Sequence, residues 1–293
     1  MPSMRTDLTL DHVALVVADL DRASKIYTRM GFNLSPRSSH KGSLQPDGPV
    51  EPWGTGNHCA MFATGYLEIL GITDKNRHSE HVQVLLDEYE GLHLIALGCT
   101  DAGEEARRIH QRLDKGEEPY AVSRDVPMTD GTSKQATFNI LQLPAETFPE
   151  ADLFLIEHKN KDVIWQPNML PQPNGVVGLA EVTVCSDRLQ ETAERLSAAL
   201  GVTPEGDAYT LVFKLARGTI KITSPDVLSD PFAGVKPPKL PWVAAAEFQV
   251  ADVGTCRDYL LGNDFSIHEL ENGSIWIDTR ETDGAVVIFS QAE

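Results

Sequence analysis

The sequence predicts an α+β fold assembled from four βαβββ modules, and three observations carry that expectation. One pattern recurs four times along the 293 residues: an apolar strand, an Asp or Ser-Asp cap, an amphipathic helix, then glycine. Shorter apolar runs of strand length follow each copy. The chain is also too long for one ordinary core, so the modules divide into two pairs.

The first copy opens with a strand over residues 10–17, caps at Asp19 and continues as a helix through Met30 to Gly31. The second runs over 92–97, caps at Thr100-Asp101 and carries a helix through Leu113 to about Gly116. The third runs over 179–185, through Ser186-Asp187, to a helix ending at Leu200-Gly201. The fourth runs over 245–250, through Asp252, to a helix ending at Leu261-Gly262. An Asp or Ser side chain at the N-cap accepts from helix amides that lack a partner, and glycine past the last turn takes the left-handed conformation. Ala23, Ile26, Tyr27 and Met30 recur at helical spacing, as do Ala106, Ile109, His110 and Leu113, so each helix buries one face.

Strands are expected at 59–63 and 66–72 around a turn at Thr64-Gly65, and at 136–143 and 153–158 in the second module. The later modules supply 209–215 and 219–223 across Arg217-Gly218, then 274–278 and 285–289. A first domain is expected over residues 1–168 and a second over 175–293. The Pro- and Asn-rich run 166–175 marks their junction.

Composition excludes several function classes. A net charge of −18 repels nucleic acid and anionic membranes. No stretch approaches the roughly 20 apolar residues of a membrane helix, and the first ten residues lack an apolar signal core. Cys59, Cys99, Cys185 and Cys256 lie far apart and form no CxxC pair, which fits free thiols in a reducing cytoplasm.

Metal-type ligands occupy two positions of the repeat in the first two modules. His12 and His93 sit in the opening strands, and Glu68 and Glu157 in the last ones, at separations of 68 − 12 = 56 and 157 − 93 = 64. A carboxylate in the middle of a half-buried strand is costly unless paired or coordinated. If the modules pair about a pseudo-twofold axis, these four residues converge on one divalent ion: Zn, Ni, Co, Mn or Fe. His158 competes with Glu157, because adjacent strand residues face opposite ways. Alignment with Glu68 favours Glu157.

The run Gly54-Thr55-Gly56-Asn57-His58-Cys59-Ala60-Met61-Phe62, then Gly65-Tyr66-Leu67-Glu68-Ile69-Leu70, together with residues 10–31, resembles the glyoxalase-like branch of the vicinal oxygen chelate superfamily. The resemblance implies paired modules forming curved mixed sheets that cup a divalent metal, with His12, Glu68, His93 and Glu157 as its ligands. It implies proton transfer next to a carbonyl of a small oxygenated substrate, through a stabilised enolate, with Glu157 as the catalytic shuttle: lyase or isomerase chemistry. His58, Trp53, Phe62, Asn57 and Trp165 are candidate substrate contacts. Glyoxalase I proper places an Arg four residues after its first ligand; here that position is Val16, which argues against glutathione chemistry. Two alternatives stand beside this reading: an Fe(II)-dependent extradiol-type dioxygenase, and a non-catalytic small-molecule-binding protein of the resistance type. The second domain carries no such ligand set. A homodimer is allowed but not required to complete the site.

Overall fold

The computed structural model describes residues 6–42, 48–113, 117–128 and 130–292. In the first module, β1 (Thr9–Val17) leads through α1 (Leu20–Arg29) to β2 (Ser38–Gly42), β3 (Glu51–Met61) and β4 (Tyr66–Ile72). After α2 (Glu80–Leu86) the second module runs β5 (Gly91–Gly98), α3 (Ala102–Leu113), β6 (Tyr120–Pro127), β7 (Ser133–Gln142) and β8 (Asp152–His158). Two short 3-10 turns, Lys161–Val163 and Pro167–Met169, precede the third: β9 (Val176–Cys185), α4 (Leu189–Leu200), β10 (Glu205–Gly206), β11 (Thr210–Lys214) and β12 (Thr219–Thr223). After α5 (Pro225–Leu228) the fourth runs β13 (Trp242–Val250), α6 (Val253–Gly262), β14 (His268–Glu269), β15 (Ile275–Ile277) and β16 (Val286–Gln291).

All four modules share one topology. The opening strand pairs in parallel with its module's last strand, as β1 does with β4 and β5 with β8. The opening strands of paired modules then lie antiparallel, β1 against β5 and β9 against β13. The strand order is β2-β3-β4-β1-β5-β8-β7-β6 in the first half and β10-β11-β12-β9-β13-β16-β15-β14 in the second. The central strands of the two sheets meet where Val243 of β13 pairs with Leu92 of β5. The first strand of each trailing set (β2, β6, β10 or β14) is largely exposed at a sheet edge. No continuous apolar run therefore marks it.

Local chemistry explains the boundaries. The Asp19 carboxylate accepts from the Arg22 amide, Asp101 from Glu104 and Asp252 from Thr255. The third helix differs: its N-cap is Arg188, with no side-chain cap, and the Ser186 hydroxyl accepts from the Arg188 amide instead. Gly201 closes α4 at φ +66°, in the left-handed region. Along α3, Ala106 and Ile109 are buried as the spacing predicts, but His110 is exposed.

The helix faces of both halves share one apolar core. Phe32, just past α1, packs on Phe62, Phe248 and Phe289, with ring centroids 5.3–6.2 Å apart. The Tyr27 hydroxyl crosses to donate to the Thr282 carbonyl at 2.9 Å. Burying each such ring is worth about 1.5–3 kcal/mol, so the two halves stabilise one another. The 166–175 junction is part of this packing. The Asn33 amide donates to Gln172, and the Asn174 side chain donates to the Met30 carbonyl.

On its other face each sheet forms a cup. Trp242, Trp276 and Phe232 fill one end of the second cup with apolar bulk, and Glu181, Lys221 and Glu247 cluster on the same face. The first is closed at one end by α2, whose Val82 packs on Val16 and Ile72. Trp165 closes the other end, donating to the Phe62 carbonyl at 3.0 Å. Among the described residues no helix is long and apolar enough to cross a membrane.

Candidate functional site

Alternation along the central strands decides what enters the first cup. Leu10, Val13, Leu15 and Val17 of β1 join the helix-side core. A bulge between Leu10 and His12 turns His12 into the cup, where it stacks on Tyr66 with centroids 4.1 Å apart. The same irregularity brings Asp11 beside it. Buried Asp11 accepts from His12 Nδ1 at 2.9 Å and from His158 Nε2 at 3.1 Å. Burial alone would raise its pKa, but the two imidazole hydrogen bonds outweigh it and hold the carboxyl well below the usual carboxylate range. Asp11 therefore fixes His12 with Nδ1 as the donor and leaves Nε2 facing the cup.

His12 Nε2 lies 3.8 Å from Glu68 Oε2. Glu68 is oriented in turn by the Asn57 side-chain amide, which donates to Oε1. A cavity of about 630 Å³ opens beyond Asn57, between the edge strands β2 and β6. Lys41 and Asp125 bridge those edges at 3.7 Å. Met61, Met128, Ile164 and Trp53 give the cavity apolar walls, and His40 and Arg124 give it polar ones. Burial pushes the Cys59 thiol on its floor up to about 12, so it stays protonated and is no nucleophile at neutral pH.

The four proposed ligands do not come together. His12 and Glu68 share the cup, but His93 and Glu157 face away from it. His93 is the bulged residue where Ala14 pairs with Leu94 and Leu15 with Leu92. It stacks on Tyr89, and its Nε2 donates to the Tyr89 carbonyl at 2.8 Å, so that nitrogen carries its hydrogen. Glu157 lies on the helix side of β8, held by Lys159, by Asn139 at 2.9 Å and by the Ala102 amide at the start of α3. The Lys159 hydrogen bond, foremost, keeps its pKa low. His158, the competing residue, is the one that points inward.

The physical reason is register. Counting back from the helix caps, His12 lies at 19 − 12 = 7 and His93 at 101 − 93 = 8. One residue reverses the face of a strand side chain. The true counterpart of His12 is Leu94, and the counterpart of Glu68, beside Ala96 as Glu68 is beside Ala14, is Phe154. The donor set therefore does not fit a four-ligand metal. Among the described residues no group of three His, Cys, Asp or Glu is placed to hold one.

The candidate substrate contacts also divide. Asn57 and Trp53 line the cavity. Trp165 packs edge-on against Tyr66 and His158 where the cup closes. His58 faces the other side of β3, its Nδ1 donating to the Ser35 carbonyl at 2.7 Å. Phe62 is wholly buried in the shared aromatic core. Sequence patterning did not single out Asp11, His40 or Arg124. For Arg124 a signal existed, since it alternates with Val122, Val126 and Met128 along one face of β6 and the residue after it.

Similar proteins agree with this architecture. The structure resembles that of a hypothetical protein from Staphylococcus aureus at TM-score 0.67 and 14% identity, covering 97% of this chain and all of that one. It resembles a mutant of 4-hydroxymandelate synthase from Streptomyces coelicolor at TM-score 0.53 and 15% identity, covering 98% of this chain and 94% of that one. A fusion of a xylose isomerase-like TIM barrel with 4-hydroxyphenylpyruvate dioxygenase matches at TM-score 0.56 and 9% identity, over the whole of this chain and half of that one. Identities this low show a common fold. No curated protein sequence matches the chain. The model of the glyoxalase-like domain matches residues 10–200, spanning the whole first half and its candidate site. The chain belongs to the glyoxalase-like domain family of the vicinal oxygen chelate superfamily.

Proposed function

We propose that the first cup binds a small oxygenated molecule with a largely apolar body and moves a proton at the carbon next to its carbonyl. The observation that carries this reading is the line Asp11–His12–Glu68, anchored in the sheet and joined through Asn57 to the wall of a cavity of about 630 Å³, a size suited to a small metabolite. Glu68 is the group that takes the proton. Asn57, which lines the cavity, holds its other oxygen, so the carboxylate lies behind Asn57 on the side of His12. His12, fixed by Asp11, relays the proton through Nε2. Tyr66 and the closing Trp165 keep water from His12. Members of the superfamily commonly hold a divalent metal in this cup, but these donors do not fit one, and no step here passes through a cation.

Solvent-deuterium incorporation tests the reading. Apolar 2-oxo acids and hydroxyketones are incubated with the protein in D₂O and followed by proton NMR. Native protein is expected to exchange the hydrogen next to the carbonyl of at least one compound. His12→Gln and Glu68→Gln are expected to slow that exchange about 100-fold or more, the usual weight of a positioned acid–base group. Exchange no faster than in buffer would overturn the reading.

A second reading has its own observation. Leu94 and Phe154 place apolar side chains where the family's second pair of donors is expected, which suits sequestration of an apolar ligand. Tight binding without exchange would select it.

A further inference from the structure

The cavity carries a charge opposite to that of the molecule. The chain's net charge is −18, yet the charged residues lining this cavity are Arg37, Lys41 and Arg124 against Asp125. Arg37 is engaged by Asp21 and Lys41 by Asp125. Among the described residues Arg124 has no ion-pair partner. It is half-buried on β6, beside the Cys59 thiol and within the field of Glu68, which Asn57 holds. A guanidinium drawn out of water without a carboxylate is costly, and its planar fork matches a carboxylate with two parallel hydrogen bonds. Around it the walls are apolar: Met61, Val126, Met128, Ile164 and Met169.

We propose that the ligand of this cup is an amphipathic carboxylate. Its acid group docks on Arg124, and its apolar chain or ring lies between Met61, Met128, Ile164 and Met169. The inference rests on the cup being the binding site, and within the proposed reaction it names the substrate class. Arg124 anchors the carboxylate while the adjacent carbon faces Glu68, which would make Arg124 the specificity-determining residue. The protein's overall negative field disfavours anions at long range, so selectivity has to come from this one contact.

Calorimetric titration with octanoate against octanamide, and with 4-phenylbutyrate against its amide, tests the proposal. None of these carries a ketone, so each binds without reacting, and the result does not depend on proton transfer. Native protein is expected to bind each acid about tenfold or more tightly than its amide, as a charge-assisted bidentate pair requires. Arg124→Gln is expected to erase that preference while leaving amide affinity within about twofold. Arg124→Lys, which keeps the charge but loses the fork, is expected to retain part of it. Should Arg124→Gln fail to fold, the acid-to-amide ratio of native protein and of Arg124→Lys decides. Equal affinity for acid and amide, a preference that survives in Arg124→Gln, or no binding of either pair up to ~5 mM overturns the proposal. His12→Gln is expected to keep the acid preference, which separates failure of this inference from failure of the proposed reaction.

Discussion

Two buried carboxylates, Asp11 and Asp283, respond to pH in opposite directions. Asp11 has its pKa lowered in the folded state by two imidazole hydrogen bonds. The stability it contributes is present above the ordinary carboxylate range and is lost as pH falls towards the folded value. Asp11→Asn leaves one imidazole without its partner and is expected to cost about 2–4 kcal/mol at pH 7. Urea unfolding should show that difference shrinking as the pH is lowered towards 3. A constant difference would show that Asp11 is not ionised in the folded protein. Asp283 behaves the other way. Burial raises its pKa to about 6 against the opposing pull of Arg22, 2.7 Å away. Its contribution is complete below about pH 4 and is lost as pH rises through 6, roughly 3 kcal/mol in all. Asp283→Asn suits the position, because Asn tolerates the φ of +54° found there. The stability of this variant relative to native is expected to rise between pH 4 and 7.5, measured by the same unfolding curves.

At the scale of single elements, register governs the site. β1 and β5 carry the same kind of strand, yet a one-residue difference in distance to the helix cap puts His12 in the cup and His93 against Tyr89. The structure predicts where donors would need to be. Leu94→His with Phe154→Glu would surround the cup with two imidazoles and two carboxylates, and this double variant is expected to bind Co(II) or Zn(II) at micromolar levels, seen by calorimetry. His93→Ala is expected to leave metal content unchanged. Dialysis of native protein against a chelator is expected to leave deuterium exchange within about twofold; a loss restored by one particular ion would place a cation between His12 and Glu68. β6 repeats the lesson. As an exposed edge strand it lacks the continuous apolar run that marks a core strand, although it supplies Arg124 to the cavity wall.

For the whole molecule, the shared helix-side core makes the two halves interdependent. Phe32 and Tyr27 of the first half pack on or bond to Phe248, Phe289 and Thr282 of the second. A chain ending at Asn174 would expose that aromatic cluster, and a patch of this kind on a free domain drives association. The truncated protein is expected to be aggregated or molten by size-exclusion chromatography and near-ultraviolet circular dichroism. A monomeric fragment that unfolds cooperatively would show that the first half folds without the second. Trp242, Trp276 and Phe232 fill one end of the second cup, and the cavity of about 630 Å³ lies in the first half.

The sequence by itself determined the modular plan: four repeats, their caps at Asp19, Asp101 and Asp252, and the strands that flank each turn. These features are local, since a cap, a helical face or an alternating strand is written within a dozen residues. It also singled out His12, Glu68 and Asn57, which the structure brings together in the first cup. Tertiary structure alone decided which side chains meet. His93 and Glu157 left the site because bulges and register offsets set the face of a strand, and hydropathy does not fix these to one residue. Asp11 and Arg124 gained their surroundings from far along the chain: His158 for Asp11, and for Arg124 a cavity closed by the distant strands β2 and β3.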